Sequence, residues 1–120
     1  MAIAGGGALG ALMRYWVALA VYGLLGRGFP YGTLAVNVLG SGLIGLLSVL
    51  FLERMALGPE WRAGVLVGFL GAFTTFSTFS YETLMLMEDG QALRAMVNVV
   101  ANVVFCITAA WAGVVLGRSL

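Results

Sequence analysis

The residues of this sequence that could do chemistry are hydroxyl and amide side chains inside long apolar segments. The densest group covers residues 74–80, where five of seven positions carry a hydroxyl and Phe76 and Phe79 are the exceptions. Serine and threonine compete for backbone hydrogen bonds, so this group and the nearby Gly71 weaken helix propensity. Two interpretations follow: a break in the helix, or a continuous helix whose hydroxyls bond back to their own carbonyls. At a break, the freed carbonyl oxygens need a partner other than lipid, and sodium is such a partner in transporters.

Amide side chains recur at helical spacing in two other apolar segments. Asn37 lies in the second segment, with hydroxyl residues four positions before and after it. Asn98, Asn102 and Cys106 are spaced four residues apart in the last segment and therefore share one helix face. Such amides either bond helices to one another or line a polar path through the membrane. Both interpretations stand for Asn37, and we favour the polar path for the pair in the last segment.

Two charged residues and three aromatic rings complete the candidates. Arg14 lies about three turns into the first segment, and Glu82 lies near the end of the third. Arg14 either pairs with Glu82 or reaches the membrane interface, or it provides a positive charge that attracts anions at a vestibule. Phe73, Phe76 and Phe79 recur every three residues, which is typical of packing or lipid contact. The alternative is that their positively polarised ring edges face a narrow path and tolerate a dehydrated anion.

Several classes of function are excluded by composition. Hydrophobic residues make up 62% of the 120 residues and charged residues only 9%, which argues against a soluble globular enzyme. There is no histidine, the cysteine is single, and no metal-ligating or nucleotide-binding motif occurs in its required context. The net charge of +1 provides no basic surface for nucleic acid. We therefore predict that the protein is not an enzyme and has no nucleic-acid partner.

The elements that must position these residues are four membrane-spanning helices. The apolar segments cover roughly residues 3–25, 32–52, 62–86 and 93–117, and each is long enough to cross a bilayer. We predict an all-α, multi-pass protein of the cell (inner) membrane, formed by a single transmembrane domain over residues 1–120. The connections are short and contain glycine or proline, so successive helices should run antiparallel as neighbours.

The arginines outside the spans are nearly balanced between the two sides of the membrane. Arg54, Arg62 and Arg118 lie on the side of the termini, and Arg27 and Arg94 lie on the other. This weak bias leaves two interpretations: orientation is set by another feature, or the chain inserts both ways and opposed copies pair. Four helices fill their own centre with side chains, so a transport path would run along an interface between subunits.

Three strings, in order, resemble motifs of the Fluc (CrcB) fluoride channel family. They are GGGALGALMRY at residues 5–15, GTLAVNVLGSGLIG at 32–45 and GFLGAFTTFSTFSYE at 68–82. The resemblance covers nearly the whole chain and implies an antiparallel, dual-topology homodimer with two fluoride pathways. It implies passive fluoride efflux that protects against fluoride toxicity, and a structural sodium ion at the dimer centre that is not transported.

The resemblance also assigns roles to individual residues. The anion pathway that it implies is lined by side chains of the last three spans: Asn37, Phe76, Phe79, Ser77, Thr78, Asn98 and Asn102. Arg14 and Glu82 are placed at the vestibule. The resemblance also implies that the third helix is broken near mid-membrane and that the backbone carbonyls of Gly71 and Thr74 at this break hold the sodium. In the fourth span this family often carries tyrosine and serine, so the two asparagines are a departure from its pattern.

Two other classes of protein remain as alternatives. A small multidrug-type, proton-coupled exporter is also a four-span, dual-topology dimer, but it needs a carboxylate in the first span, and none is present. A non-transporting structural bundle would explain the high glycine content, 18 of 120 residues, but not the aligned polar faces of three spans.

Overall fold

The computed structural model describes residues 1–54 and 58–120, and every element in these two ranges is helical. The α-helices are α1 (Ala2–Leu25), α2 (Tyr31–Val49), α3 (Pro59–Arg62), α4 (Leu70–Phe73), α5 (Phe76–Glu88) and α6 (Ala92–Ser119). Two π-helical segments complete the set, Leu50–Arg54 after α2 and Ala63–Phe69 between α3 and α4.

Four stretches of helix are long and apolar enough to cross a membrane. They are Ala2–Leu25, Tyr31–Glu53, Pro59–Glu88 and Ala92–Ser119, and we number them as the first to fourth spans. Each of them contains an apolar stretch of 18 residues with at most two charged side chains. The prediction of an all-α protein with four membrane-length helices is therefore confirmed.

Glycine allows two of the turns between spans. Gly26 ends α1 with φ of 83°, and its N–H bonds the carbonyl of Tyr22 at 2.9 Å. Gly90 has φ of 77° in the turn between α5 and α6. These left-handed conformations are costly for other residues, so the glycines permit sharp reversals in short connections.

The principal helix contacts join the first span to the third and the second span to the fourth. α1 packs on the π-helical segment Ala63–Phe69 and on α4, while α2 packs along α6. Contacts between consecutive spans also form, as expected for neighbours, but they are fewer than those between the first and third or the second and fourth spans. Consecutive spans alternate in direction, and the tightest pairs therefore run parallel.

Glycines bring the backbones together in both pairs. A Cβ atom on Gly10 would overlap the carbonyl oxygen of Phe69, and one on Gly45 would overlap the carbonyl oxygen of Ala110. In lipid, such close approach is a main source of helix association because the hydrophobic effect does not act between spans. Packing between spans thus explains the glycines at these close contacts.

The third span is interrupted near its middle. Thr74 and Thr75 leave the helix, and Thr75 is extended with φ of −152° and ψ of 119°. α5 then begins at Phe76, with the Thr75 hydroxyl accepting a hydrogen bond from the N–H of Thr78 at 3.2 Å. Of the two interpretations of the hydroxyl-rich group, the helix break is the one found.

A groove at the break of the third span

The break opens into a groove of about 390 Å³ between α2, the third span and α6. Six of the residues predicted as site residues line it: Asn37, Gly71, Thr74, Phe76, Phe79 and Asn102. Cys106 adds its thiol to the same wall. The fold therefore brings together polar residues from three spans that are far apart in sequence.

Asn37 makes the most specific contact in the groove, because its side-chain amide pairs with the backbone of Thr75. The N–H of Thr75 donates to Asn37 Oδ1 at 2.8 Å, and Asn37 Nδ2 donates to the carbonyl of Thr75 at 3.0 Å. Asn37 Nδ2 also donates to Asn102 Oδ1 at 3.3 Å. One amide side chain thus joins α2, the break and α6.

The break leaves the carbonyls of residues 71–74 without the donors that a continuous helix would provide, and those of Gly71 and Thr74 are two of them. In an α-helix the N–H of Thr75 would bond the carbonyl of Gly71, and the N–H of Thr78 that of Thr74. Both N–H groups bond side-chain oxygens instead, those of Asn37 and Thr75. The carbonyls of Gly71 and Thr74 lack these donors, and hard oxygen ligands of this kind suit a cation such as sodium.

A chain of hydrogen bonds leads from the groove into α6 and back to α5. Asn102 Nδ2 donates to Asn98 Oδ1 at 3.0 Å, and Asn98 Nδ2 donates to Thr83 Oγ1 at 2.9 Å. Thr83 in turn donates to the carbonyl of Phe79 at 2.8 Å. Asn98 is 1% exposed and Asn102 is 6% exposed, so these amides bond helices together while Asn102 also faces the groove.

The two phenylalanines of the groove differ in their surroundings. Phe79 is buried, whereas Phe76 is 76% exposed, and their ring centroids lie 5.3 Å apart at 57°. Phe73 is buried and stacks on Phe69 at 6.1 Å, which places it in the packing of the third span. Of the three rings in this periodic run, two therefore lie at the groove.

Ser77 and Thr78 lie on the first turn of α5, outside the wall of the groove. Both residues are exposed in the single chain. The Ser77 hydroxyl lies 3.5 Å from that of Thr75, and the Thr78 backbone is capped by the same hydroxyl. Both residues are thus exposed, and the Ser77 hydroxyl also reaches the Thr75 hydroxyl at the break.

The two residues predicted for a vestibule are separate. Glu82 Oε2 accepts a hydrogen bond from the hydroxyl of Tyr22 at 3.2 Å in a cavity of about 240 Å³. The guanidinium of Arg27 lies 4.7 Å above the Tyr22 ring in this cavity. In the described ranges Arg14 and Glu82 form no ion pair, so one interpretation of Arg14 is not realised. Arg27 is the arginine that lies near the acid.

Replacing Asn98 with alanine is expected to destabilise the protein by about 1 kcal/mol, the order measured for hydrogen bonds between membrane helices. The change removes the partner of Thr83 and one acceptor of Asn102. Unfolding by SDS in mixed micelles, followed by circular dichroism, measures the effect. Val97→Ala on the exposed side of the same turn is the control. Equal stability of the two variants would contradict the role of the Asn98 bonds.

Three residues of this network were not predicted: Thr75, Thr83 and Tyr22. Thr75 belongs to the hydroxyl-rich group. Its hydroxyl accepts a hydrogen bond from the N–H of Thr78, three residues later, which is typical of a threonine at a helix N-cap. Thr83 and Tyr22 carry no local signal, because their partners Asn98 and Glu82 lie 15 and 60 residues away.

The fold and the groove define a small multi-pass membrane protein with a polar site between its spans. Comparison with known proteins gives the family: residues 1–114 match the model of the CrcB-like proteins, described as camphor resistance (CrcB). The chain belongs to this family, which confirms the resemblance found in the sequence.

Curated relatives agree with this assignment. A protein of Methylococcus capsulatus named "Fluoride-specific ion channel FluC" is 60% identical over 99% of the chain. Relatives with the same name from Geobacter sulfurreducens and Geobacter metallireducens are each 52% identical over the whole chain. The chain spans 52% of the Methylococcus protein and 97% of each Geobacter protein. The relatives are named as ion channels and not as enzymes, which confirms the prediction that the protein is not an enzyme.

Proposed function

We propose that the protein is a fluoride-selective ion channel that lets fluoride leave the cytoplasm passively and so protects against fluoride toxicity. The observation that carries this proposal is the name "Fluoride-specific ion channel" of relatives that the chain matches over nearly their whole length. Hydrogen fluoride crosses membranes as a neutral weak acid and dissociates in the less acidic cytoplasm. A channel for the anion then dissipates the trapped fluoride down its electrochemical gradient.

The groove supports an anion pathway because it combines polar donors with ring edges. Asn37 and Asn102 line the groove together with Phe76 and Phe79. Asn98 lies one helical turn before Asn102 on α6 and accepts a hydrogen bond from it. Ser77 and Thr78 extend the polar surface along the exposed side of α5. Fluoride is small and strongly hydrated, so hydroxyl and amide donors must replace its water, while phenyl edges add weak positive potential.

The charge distribution of the groove suits rapid passage. Its described lining contains no charged side chain, so no residue binds an anion tightly enough to stall conduction. Arg14 and Glu82 lie outside it, and we assign them to the approach at the vestibule, where fixed charges act on ion concentration. In this proposal the groove selects the anion, and the charged residues of the vestibule control the ion concentration at its entrance.

The oligomer in this proposal is an antiparallel, dual-topology homodimer in the cell (inner) membrane. Phe76 is 76% exposed and Gly71 is also exposed, although both line the groove. An inverted second copy would cover this face and close two fluoride pathways. The near-equal arginine count of the two sides is compatible with insertion in both orientations.

A structural sodium ion at the dimer centre belongs to the same proposal. The uncovered carbonyls of Gly71 and Thr74 would hold it, and it would be neither transported nor exchanged during conduction. When bound, the ion supplies positive charge for carbonyl oxygens that lipid cannot satisfy. This chain prepares the site by diverting the N–H groups of Thr75 and Thr78 to side-chain oxygens.

Fluoride efflux from liposomes, followed with a fluoride electrode, tests the function. Purified protein should release trapped fluoride when valinomycin and a potassium gradient remove the opposing voltage, and the release should continue without a pH gradient. Liposomes loaded with chloride are the control for selectivity. Efflux no faster than from protein-free liposomes would refute the channel.

The proton-coupled exporter is not supported. The relatives are named as channels, and the first span contains Arg14 and no carboxylate that could exchange protons for a substrate.

A further inference from the structure

The amide of Asn37 and the peptide groups of Thr75 form a two-bond pair. Oδ1 accepts from the N–H at 2.8 Å, and Nδ2 donates to the carbonyl at 3.0 Å. The backbone partners fix the orientation of the amide, since a reversed side chain would face donor with donor and acceptor with acceptor. The Asn37 amide therefore bonds Thr75 as the backbone of a neighbouring β-strand would, and Thr75 has the extended conformation that such pairing requires.

The hydrogen-bonding capacity of Asn37 is already used within the chain. Its Nδ2 donates to the Thr75 carbonyl and to Asn102 Oδ1, which accounts for both of its hydrogens. Asn102 is held in turn by Asn98. Because both Asn37 hydrogens are engaged within the chain, an anion in the groove would have to share or replace one of these bonds.

The Asn37–Thr75 pair also determines which acceptor the N–H of Thr75 uses. While Asn37 accepts from the N–H of Thr75, that N–H cannot return to the carbonyl of Gly71. The extended Thr75 then places its hydroxyl where it caps α5 at Thr78. Without Asn37, the N–H of Thr75 would have the Gly71 carbonyl as its nearest replacement, and the helix could close across the break.

We propose that Asn37 is a positioning residue that acts through Thr75: its amide holds Thr75 extended and keeps the third span open. This inference rests on the proposed function only for its effect on fluoride flux. The conformational part concerns the protein alone and can be measured without fluoride.

Selective labelling of threonine with carbon-13 and nitrogen-15 measures that part. The chain has six threonines, so the spectrum of the full protein in micelles is simple. In Asn37→Leu, the Thr75 carbon shifts should change from extended to helical values, while those of Thr33 and Thr108 stay unchanged. Fluoride efflux from liposomes should fall about tenfold or more, the change expected when two hydrogen bonds no longer favour one of two states.

Two further variants separate this role from a general loss of structure. Asn37→Asp keeps an acceptor for the Thr75 N–H, so Thr75 should remain extended, a result that unspecific damage would not give. Ser48→Ala removes another polar side chain of α2, away from the groove, and should leave both the Thr75 shifts and the flux as in the wild type.

The outcomes are distinguishable. Thr75 shifts that remain extended in Asn37→Leu would overturn the proposal, and so would helical shifts combined with wild-type flux. A wild-type protein that releases no fluoride would refute the proposed function, while the threonine spectra would still decide whether Asn37 holds the break.

Discussion

Replacing Phe76 with isoleucine is expected to reduce fluoride efflux from liposomes by about tenfold, while the protein stays folded. An aromatic pair in favourable geometry contributes up to about 1.5 kcal/mol beyond its buried area, and the same scale for a ring edge facing an anion corresponds to a factor of about ten in rate. An aliphatic side chain fills a similar volume but has no polarised edge to face an anion. Because Phe76 is 76% exposed in the single chain, its loss removes little packing within the subunit.

The matched control for this result is Phe105→Ile. Phe105 lies on α6, is 54% exposed and does not line the groove. Its replacement should leave efflux unchanged, and gel filtration should show the same oligomer for both variants. Wild-type efflux from Phe76→Ile would remove the ring from the mechanism, whereas a changed oligomer would show that Phe76 acts in assembly.

Replacing Gly45 with alanine should destabilise the protein by about 3 kcal/mol, the upper part of the range for overpacked sites. The added methyl group would overlap the carbonyl oxygen of Ala110 on α6, and a backbone atom cannot turn away as a side chain does. α2 and α6 would have to separate along their main contact. Unfolding by SDS in mixed micelles, monitored by circular dichroism, measures the loss.

Gly5→Ala is expected to change the stability of the protein in the opposite direction. No atom lies within 4 Å of a Cβ built on Gly5, so the methyl group meets open space and alanine favours the helix by up to about 1 kcal/mol. The two variants make the same chemical change and should shift stability in opposite directions. If both were as stable as the wild type, the close contact of α2 with α6 would be contradicted.

The number and nature of the spans could be predicted because they follow from composition along the chain. Uninterrupted apolar segments predict crossing helices, and the hydroxyl-rich group beside Gly71 indicates a weak point in the third span. The residues alone left the conformation at that point open, and only the family resemblance indicated a break. A continuous helix and a broken one use the same residues, and the choice depends on Asn37 of another span, 38 residues away.

The arrangement of the spans was beyond prediction for a related physical reason. Short loops restrict which ends lie close together, but glycine contacts decide which helices pack along their length. Gly10 meets Phe69 of the third span, and Gly45 meets Ala110 of the fourth. GxxxG patterns show that a helix has a close-packing face without showing which partner it will meet. Likewise, Glu82 was predicted near a vestibule, but its partner Tyr22 depends on this arrangement.

The pairing of the first span with the third has a consequence for biosynthesis. As the chain emerges from the ribosome, its N-terminal hairpin enters the bilayer before either of its main partners has been translated. The first and second spans therefore lack their main partners until the third and fourth spans are inserted. The first span then packs on the third and the second on the fourth through their glycine contacts. Final assembly therefore waits for the translation of α6, and a product that lacks this helix would be left with unmatched glycine surfaces in the lipid.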